Sequence, residues 1–284
     1  MVREFNLVND KGQKYSLMDI EHACLMTEPT GLGYSYADEY EQLGNTFISN
    51  LRKIEQGQIE GTLNFLNYDN YRNIITFIEK SDALKFEYKI PYEDGAKTFY
   101  KDIQLQSITK TEKMVNGIIS ESVIFDNLSL WYMENTAIYE MSGGEGEMRW
   151  NFNWDPRFSN YSVRSLSFVN EGHVEAPIEV TIDGNVTNPK IQLYIEGILY
   201  QEVPFTITLT QYEKLLYGTK ENNFYLLREE GDGTTSNIFN LSVVEFNNDN
   251  VIRLPQDKSC ELRLVADNDI ASAQVKIFTY YKAI

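Results

Sequence analysis

Between Phe168 and Leu209 apolar and polar residues alternate so regularly that the chain has few ways to fold there other than as strands. Ile178, Val180 and Ile182 alternate with Glu179, Thr181 and Asp183. After Asp183-Gly184 and Asn188-Pro189 the pattern resumes, with Ile191, Leu193 and Ile195 against Gln192, Tyr194 and Glu196. Successive side chains of a strand point to opposite faces, so a period of two means one face buried and the other wet. Pro189 has no N–H for a ladder and Gly184 tolerates positive φ, which puts both in the turn between strands. Gly197 closes the second strand, and Val203, Phe205, Ile207 and Leu209 begin a third alternation with Pro204 at its head. The expected product is an antiparallel meander with one apolar face. No helical pattern of useful length follows to cover that face, so the cover is a second sheet and the C-terminal half is a β-sandwich.

At 284 residues the chain exceeds one usual core, and two domains are expected. The run Ser142-Gly143-Gly144-Glu145-Gly146-Glu147 has the most flexible composition, which puts a linker at 142–148 between a first domain at 1–141 and a second at 149–284. The second domain then opens with Trp150, Phe152, Trp154 and Phe158, and Ala273 to Tyr281 alternates as its closing strand.

The first half also reads as mainly β, a sandwich-like domain with one short helix. Arg3 to Val8 is a short strand, followed by a hairpin turn at Asn9-Asp10-Lys11-Gly12. Gly57 to Leu66 alternates Ile59, Gly61, Leu63 and Phe65 against polar neighbours, and Leu84 to Ile90 does the same up to Pro91. Val115 to Phe125, with its Asn116-Gly117 turn, brings Ile118, Ile119, Val123 and Phe125 into a final pair of strands ahead of Leu130-Trp131-Tyr132. The helix is expected over Asp69–Lys80, with Asp69 as its cap and Tyr71, Ile74, Ile75 and Ile78 spaced to form one apolar stripe.

Charge and motifs exclude much of the usual chemistry. Of the net charge of −17, residues 1–134 carry −8, from 13 Lys and Arg against 21 Asp and Glu; residues 135–284 carry −9, from 12 against 21. A chain acidic in both halves is repelled by phosphates, so no direct nucleic-acid binding is expected. Met1 to Leu7 lacks the apolar core of a secretory signal, and no run approaches the roughly 18 apolar residues of a membrane helix, so synthesis in a cytoplasm with no membrane contact is expected. Cys24 and Cys260 cannot form a disulfide framework and read as reduced, buried residues.

No cofactor, metal or catalytic group is read from the chain. Gly31 and Gly33 start a dinucleotide fingerprint, but its third glycine would fall at Tyr36. His22 and His173 lack companion ligands at zinc spacing, and no G-x-S-x-G elbow occurs. An EF-hand counted from Asp267 fails at Ala271, Ser272 and Phe278. Glu229-Glu230-Gly231-Asp232-Gly233 reads as a solvated hairpin tip rather than a catalytic carboxylate pair.

Two stretches, Gly31 to Ile48 and Asn170 to Gly197, resemble the distal tail proteins of long, non-contractile-tailed bacteriophages. The second, punctuated by Asn170, Gly172, Pro177, Gly184, Asn188-Pro189 and Gly197, is similar to their galectin-like domain. The resemblance implies a non-enzymatic structural protein of a phage or prophage tail tip. Its N-terminal domains would form a hexameric hub joining the tail tube protein to a tail-associated lysin or tail fibre, with receptor-binding or other baseplate proteins docked on the galectin-like domains. Leu32, Tyr34, Tyr36, Tyr40 and Phe47 are the ring-interface residues this reading selects; a hairpin whose tyrosines pack inside the monomer is the plainer alternative. A second functional reading, a carbohydrate-binding module adhering to a bacterial cell wall, rests on Trp150 and Trp154. The His-Asn-Arg and Trp-Glu groupings of galectins are missing around His173, and a shared fold does not supply them.

Overall fold

A computed structural model describes residues 3–93, 95–112, 114–140, 163–221, 223–242, 251–268 and 272–284. The fold is mainly β, with a single α-helix among the described residues. It divides into two compact units, one of residues 1–133 with 281–284 and one of residues 134–280. The stretch read as the linker, 142–148, lies outside the described residues.

The first unit holds β1 (Glu4–Asn9), β2 (Lys14–Ser16), β3 (Leu25–Thr30), β4 (Tyr36–Leu43), β5 (Thr46–Ile54), β6 (Gln58–Phe65), α1 (Tyr68–Glu79), β7 (Leu84–Tyr92), β8 (Gly95–Ile108), β9 (Met114–Val115) and β10 (Ile118–Asn127). The start of β11 (Trp131–Glu140) also belongs to it. Seven of these strands form one antiparallel sheet in the order β2-β1-β7-β8-β10-β6-β3. The sheet curls until its ends meet: Met26 N–H donates to Leu17 O at 2.8 Å, and Met18 bridges Leu25. The two layers of this unit are therefore halves of one sheet. Between them Phe5, Leu7, Leu63, Phe65, Phe86, Phe125 and Trp131 are fully buried, the side chains that the period-two pattern turns inward.

Helix α1 connects β6 to β7 and lays Ile74 and Ile78 into this core, with Tyr71 and Ile75 half-buried beside them. Each buried isoleucine contributes roughly 1.5–3 kcal/mol. The cap is Asn67, not Asp69: Asn67 Oδ1 accepts from Asn70 N–H at 2.8 Å. A capping side chain must reach the amide of the third helical residue, and Asn67 lies three before Asn70. Asp69 instead sits in the first turn, where its charge meets the positive helix end. Pro91 also departs from expectation, lying inside β7 opposite Ala96 rather than ending it.

The second unit holds β12 (Val163–Val169), β13 (Ala176–Asp183), β14 (Val186–Thr187), β15 (Lys190–Ile195), β16 (Ile198–Pro204), β17 (Thr208–Leu209), β18 (Lys214–Lys220), β19 (Asn223–Glu229), β20 (Thr235–Asn237), β21 (Arg253–Leu254), β22 (Ser259–Val265) and β23 (Ser272–Tyr281). One sheet runs β23-β13-β18-β19-β20 and the other β12-β22-β15-β16. Ile178, Val180 and Ile182 of the first share a core with Ile191, Leu193, Leu262 and Leu264 of the second, so the unit is a sandwich.

The meander expected across Ile178 to Leu209 is not formed. β13 pairs with β18 and β23, while β15 pairs with β16 and β22, so β13 and β15 belong to opposite sheets. A strand in either sheet of a sandwich carries the same alternation, and the pattern alone does not choose the partner. The crossing is made in the turn. A Cβ on Gly184 would lie 1.8 Å from Thr210 O, so glycine is required there for close approach; the positive φ falls on Asn185 (64°) and Asn188 (47°). The third alternation is split as well: Val203 and Pro204 finish β16, and Leu209 lies in β17.

Candidate functional site

β4 and β5 form a hairpin with a sheet to itself, paired from Tyr36↔Ile54 to Leu43↔Thr46. Its register puts Tyr40 and Phe47 on one face and Leu43 and Ile48 on the other. All four are exposed, Phe47 to 69%, Leu43 to 64% and Tyr40 to 61%. A strand pair covering a core hides one face, and this pair hides neither. A lone hairpin is marginal in water, and exposed aromatic and aliphatic residues gathered on one element mark a contact surface.

Local interactions at its base brace its two strands against each other. Arg52 stacks on the Tyr36 ring at 3.8 Å and stands 3.6 Å from Asp38 Oδ1, while Tyr40 Oη donates to Asp38 Oδ2 at 2.9 Å. That bond to the Asp38 carboxylate raises the Tyr40 phenol above its usual range. Before the hairpin, Trp131 Nε1–H donates to Leu32 O at 2.8 Å, and Gly31 has φ 72° with Gln58 O only 1.6 Å from where a Cβ would be. The backbone can pass there only as glycine.

The five selected residues thus divide. Tyr34, Tyr40 and Phe47 are exposed; Tyr36 is half-buried beneath Arg52, and Leu32 packs against the first-unit core. Leu43, Ile48 and Leu51 extend the exposed surface beyond the residues that the sequence points to. Their signal was the Leu43-Gly44-Asn45-Thr46 turn, which marks 36–54 as one hairpin whose flanks must all be judged together.

At the hairpin root lies a cavity of about 750 Å³. Its walls include Ser35, Glu55, Lys101, Asn127, Ser129 and Lys282. Lys101 projects from β8 into the core face, is only 4% exposed, and has its amine 4.5 Å from the Trp131 ring centre. Burial holds its ammonium well below the usual lysine range, at about 8. Asn127, 8% exposed, is paired with Ile103 two residues along β8, which makes it the diagonal neighbour of Lys101 on the same face; its Oδ1 has no hydrogen-bond partner.

Other residues singled out by the sequence take structural parts. His22 is exposed with Nδ1 3.1 Å from Asp19 Oδ2, and His173 N–H donates to Tyr280 O. Cys24 and Cys260 are buried, and burial pushes the Cys24 thiol up to about 12. Asp267 and Asn268 accept from Asn188 Nδ2 and Thr187 N–H, fastening a turn. In the 229–233 run, Glu230 and Thr234 close the tip and Gly233 has φ 85°. No group of three metal-ligating side chains occurs among the described residues, and no helix among them is long and apolar enough to cross a membrane. Trp150 and Trp154 lie outside the described residues.

Residues 4–128 match the family model of the distal tail protein, N-terminal domain. Two solved structures of the phage P2 baseplate in its activated conformation, with Ca and with Sr, contain a chain that superposes with TM-scores of 0.69 and 0.68 at 18% identity over 100% of both chains. The crystal structure of the SPP1 Dit protein, described as a paradigm of hub adsorption apparatus in phages infecting Gram-positive bacteria, superposes with a TM-score of 0.56 at 13% identity, covering 96% of this chain and 98% of that one. At these identities the superpositions report the fold. No curated protein sequence matches the chain.

Proposed function

We infer, for a chain that belongs through residues 4–128 to the distal tail protein family, that it builds the hub of a phage or prophage tail tip as a hexameric ring of first units. The observation that carries this reading is the β4–β5 hairpin, with exposed apolar residues on both faces and no core of its own. A closed ring repeats one heterologous contact until the rotation closes, and such a contact needs a projecting element on each copy. Aromatic residues such as Tyr34, Tyr40 and Phe47 are enriched in interface cores. The ring would join the tail tube protein on one side to a tail-associated lysin or tail fibre on the other, after synthesis in the host cytoplasm.

The second unit serves as the docking platform for receptor-binding or other baseplate proteins. In support, β16 is an edge strand of its sheet and exposes Ile198, Leu199 and Tyr200. An unpaired edge with apolar side chains is a template for strand addition by a partner. The role is structural rather than enzymatic.

Native mass spectrometry of the full chain over a concentration series tests the ring. A six-copy species is expected to grow with concentration. A species that stays monomeric at the highest concentrations, alone and with a tail tube protein added, overturns the reading.

A further inference from the structure

Lys101 is an unusual use of a lysine. The residue is 4% exposed, and among the described residues it forms no ion pair; the aromatic face of Trp131 is its one compensating contact within the chain. Glu55, on the same cavity wall, accepts from Ser35 Oγ at 2.7 Å through one carboxylate oxygen and makes no ion pair with Lys101. Asn127 beside it leaves an acceptor unmet. Buried ammonium groups and buried amide oxygens ordinarily have partners, because desolvation without a partner costs stability. The cavity that joins them is large enough for an inserted side chain, and it opens where Ser35 and Glu55 flank the hairpin strands.

We propose that this cavity receives a carboxylate side chain from a neighbouring copy of the chain, bound by the Lys101 ammonium, as the polar centre of the ring contact. The proposal rests on the hub reading above. Charge favours the occupant: each copy carries 42 Asp and Glu against 25 Lys and Arg. Exposed Glu39 and Glu41 lie on the hairpin itself. A carboxylate against Lys101 restores the lysine toward its charged form. The hairpin supplies the apolar part of the contact and the cavity its register, since an inserted carboxylate accepts only one position.

The test is zero-length carbodiimide coupling on an equimolar mixture of unlabelled and ¹⁵N-labelled full-length chain, run beside a sedimentation series on wild type and Lys101→Met. Carbodiimide joins an amine to a carboxylate only in direct contact. Mixed-isotope peptides containing Lys101 are expected, together with at least a tenfold weaker self-association of Lys101→Met. Assembly of both proteins with equal affinity and no mixed-isotope Lys101 peptide overturns the proposal while leaving the hub intact. Protection of Lys101 by added acetate without any intermolecular link assigns the carboxylate to a small molecule and also overturns it. Failure of the wild type to assemble at all removes both readings.

Discussion

Replacing Lys101 by Met keeps the aliphatic stem against Trp131 and removes only the buried charge. In the monomer that change is expected to stabilise the protein at neutral pH. Burial lowers the Lys101 value from 10.5 to about 8, a cost to the charged form of about 3 kcal/mol at about 1.4 kcal/mol per pH unit. The Trp131 face 4.5 Å away returns about 1–2 kcal/mol to the cation, leaving a net penalty of about 1–2 kcal/mol. The sign follows from proton binding. Because the folded value stays below the unfolded one of 10.5, the unfolded chain holds more protons as pH approaches 10.5, and wild-type stability rises with pH over that approach relative to the variant. Glu55, Lys282 and the neighbouring Asp102, whose carboxylate accepts from Tyr132 Oη, are the charged groups nearby and are common to both proteins. So are the buried tyrosines and Cys24, whose raised values cancel in the difference. Urea denaturation at a concentration where the chain is monomeric should find Lys101→Met more stable by about 1–2 kcal/mol at pH 7, and by less than about 0.5 kcal/mol at pH 10.5. A difference independent of pH, or a variant less stable at pH 7, refutes the reasoning.

Further tests separate folding from assembly. Phe47→Ser alters a side chain that touches no core, so monomer stability by urea melt should move by less than about 0.5 kcal/mol while self-association in the ultracentrifuge falls. Gly31→Ala forces a Cβ onto Gln58 O at positive φ and is expected to cost more than about 2 kcal/mol in the same melt. Asn67→Ala removes the α1 cap and should cost about 1 kcal/mol, whereas Asp69→Ala costs about half that or less, which calorimetry of the two variants resolves.

Strand existence was legible wherever one face is buried and the other wet, because the pleat writes itself into the residue order. Ile59, Leu63 and Phe65 are fully buried, as are Ile178, Val180 and Ile182, on the faces their spacing predicts. Strand pairing was not legible. The crossing between β13 and β15 is decided by Gly184 against Thr210 O, a contact between residues 26 apart in the chain that no local pattern records. The helix was visible through its apolar stripe, but two acceptable capping residues stand two positions apart, and only the Asn67 to Asn70 geometry chooses between them. At the hairpin, Tyr40 and Phe47 could be noticed as aromatic; nothing in their spacing says that both faces are bare. Lys101 was invisible, since Lys-Asp in a strand reads as a solvated edge until Trp131 and the curl of the sheet enclose it.

These features share one direction of expense. The hairpin exposes apolar residues that a monomer gains nothing by exposing, and the cavity at its root buries a charge that a monomer gains nothing by burying. Each is unfavourable in an isolated chain for an opposite physical reason, lack of burial in one case and excess of it in the other, and both stand on the same unit within a few residues of Ser35 and Glu55. A carboxylate-bearing apolar surface brought against that end relieves both at once. Monomer stability and assembly should therefore respond oppositely to Lys101→Met, rising in one assay and falling in the other. A residue with only a structural role in the core would move both the same way.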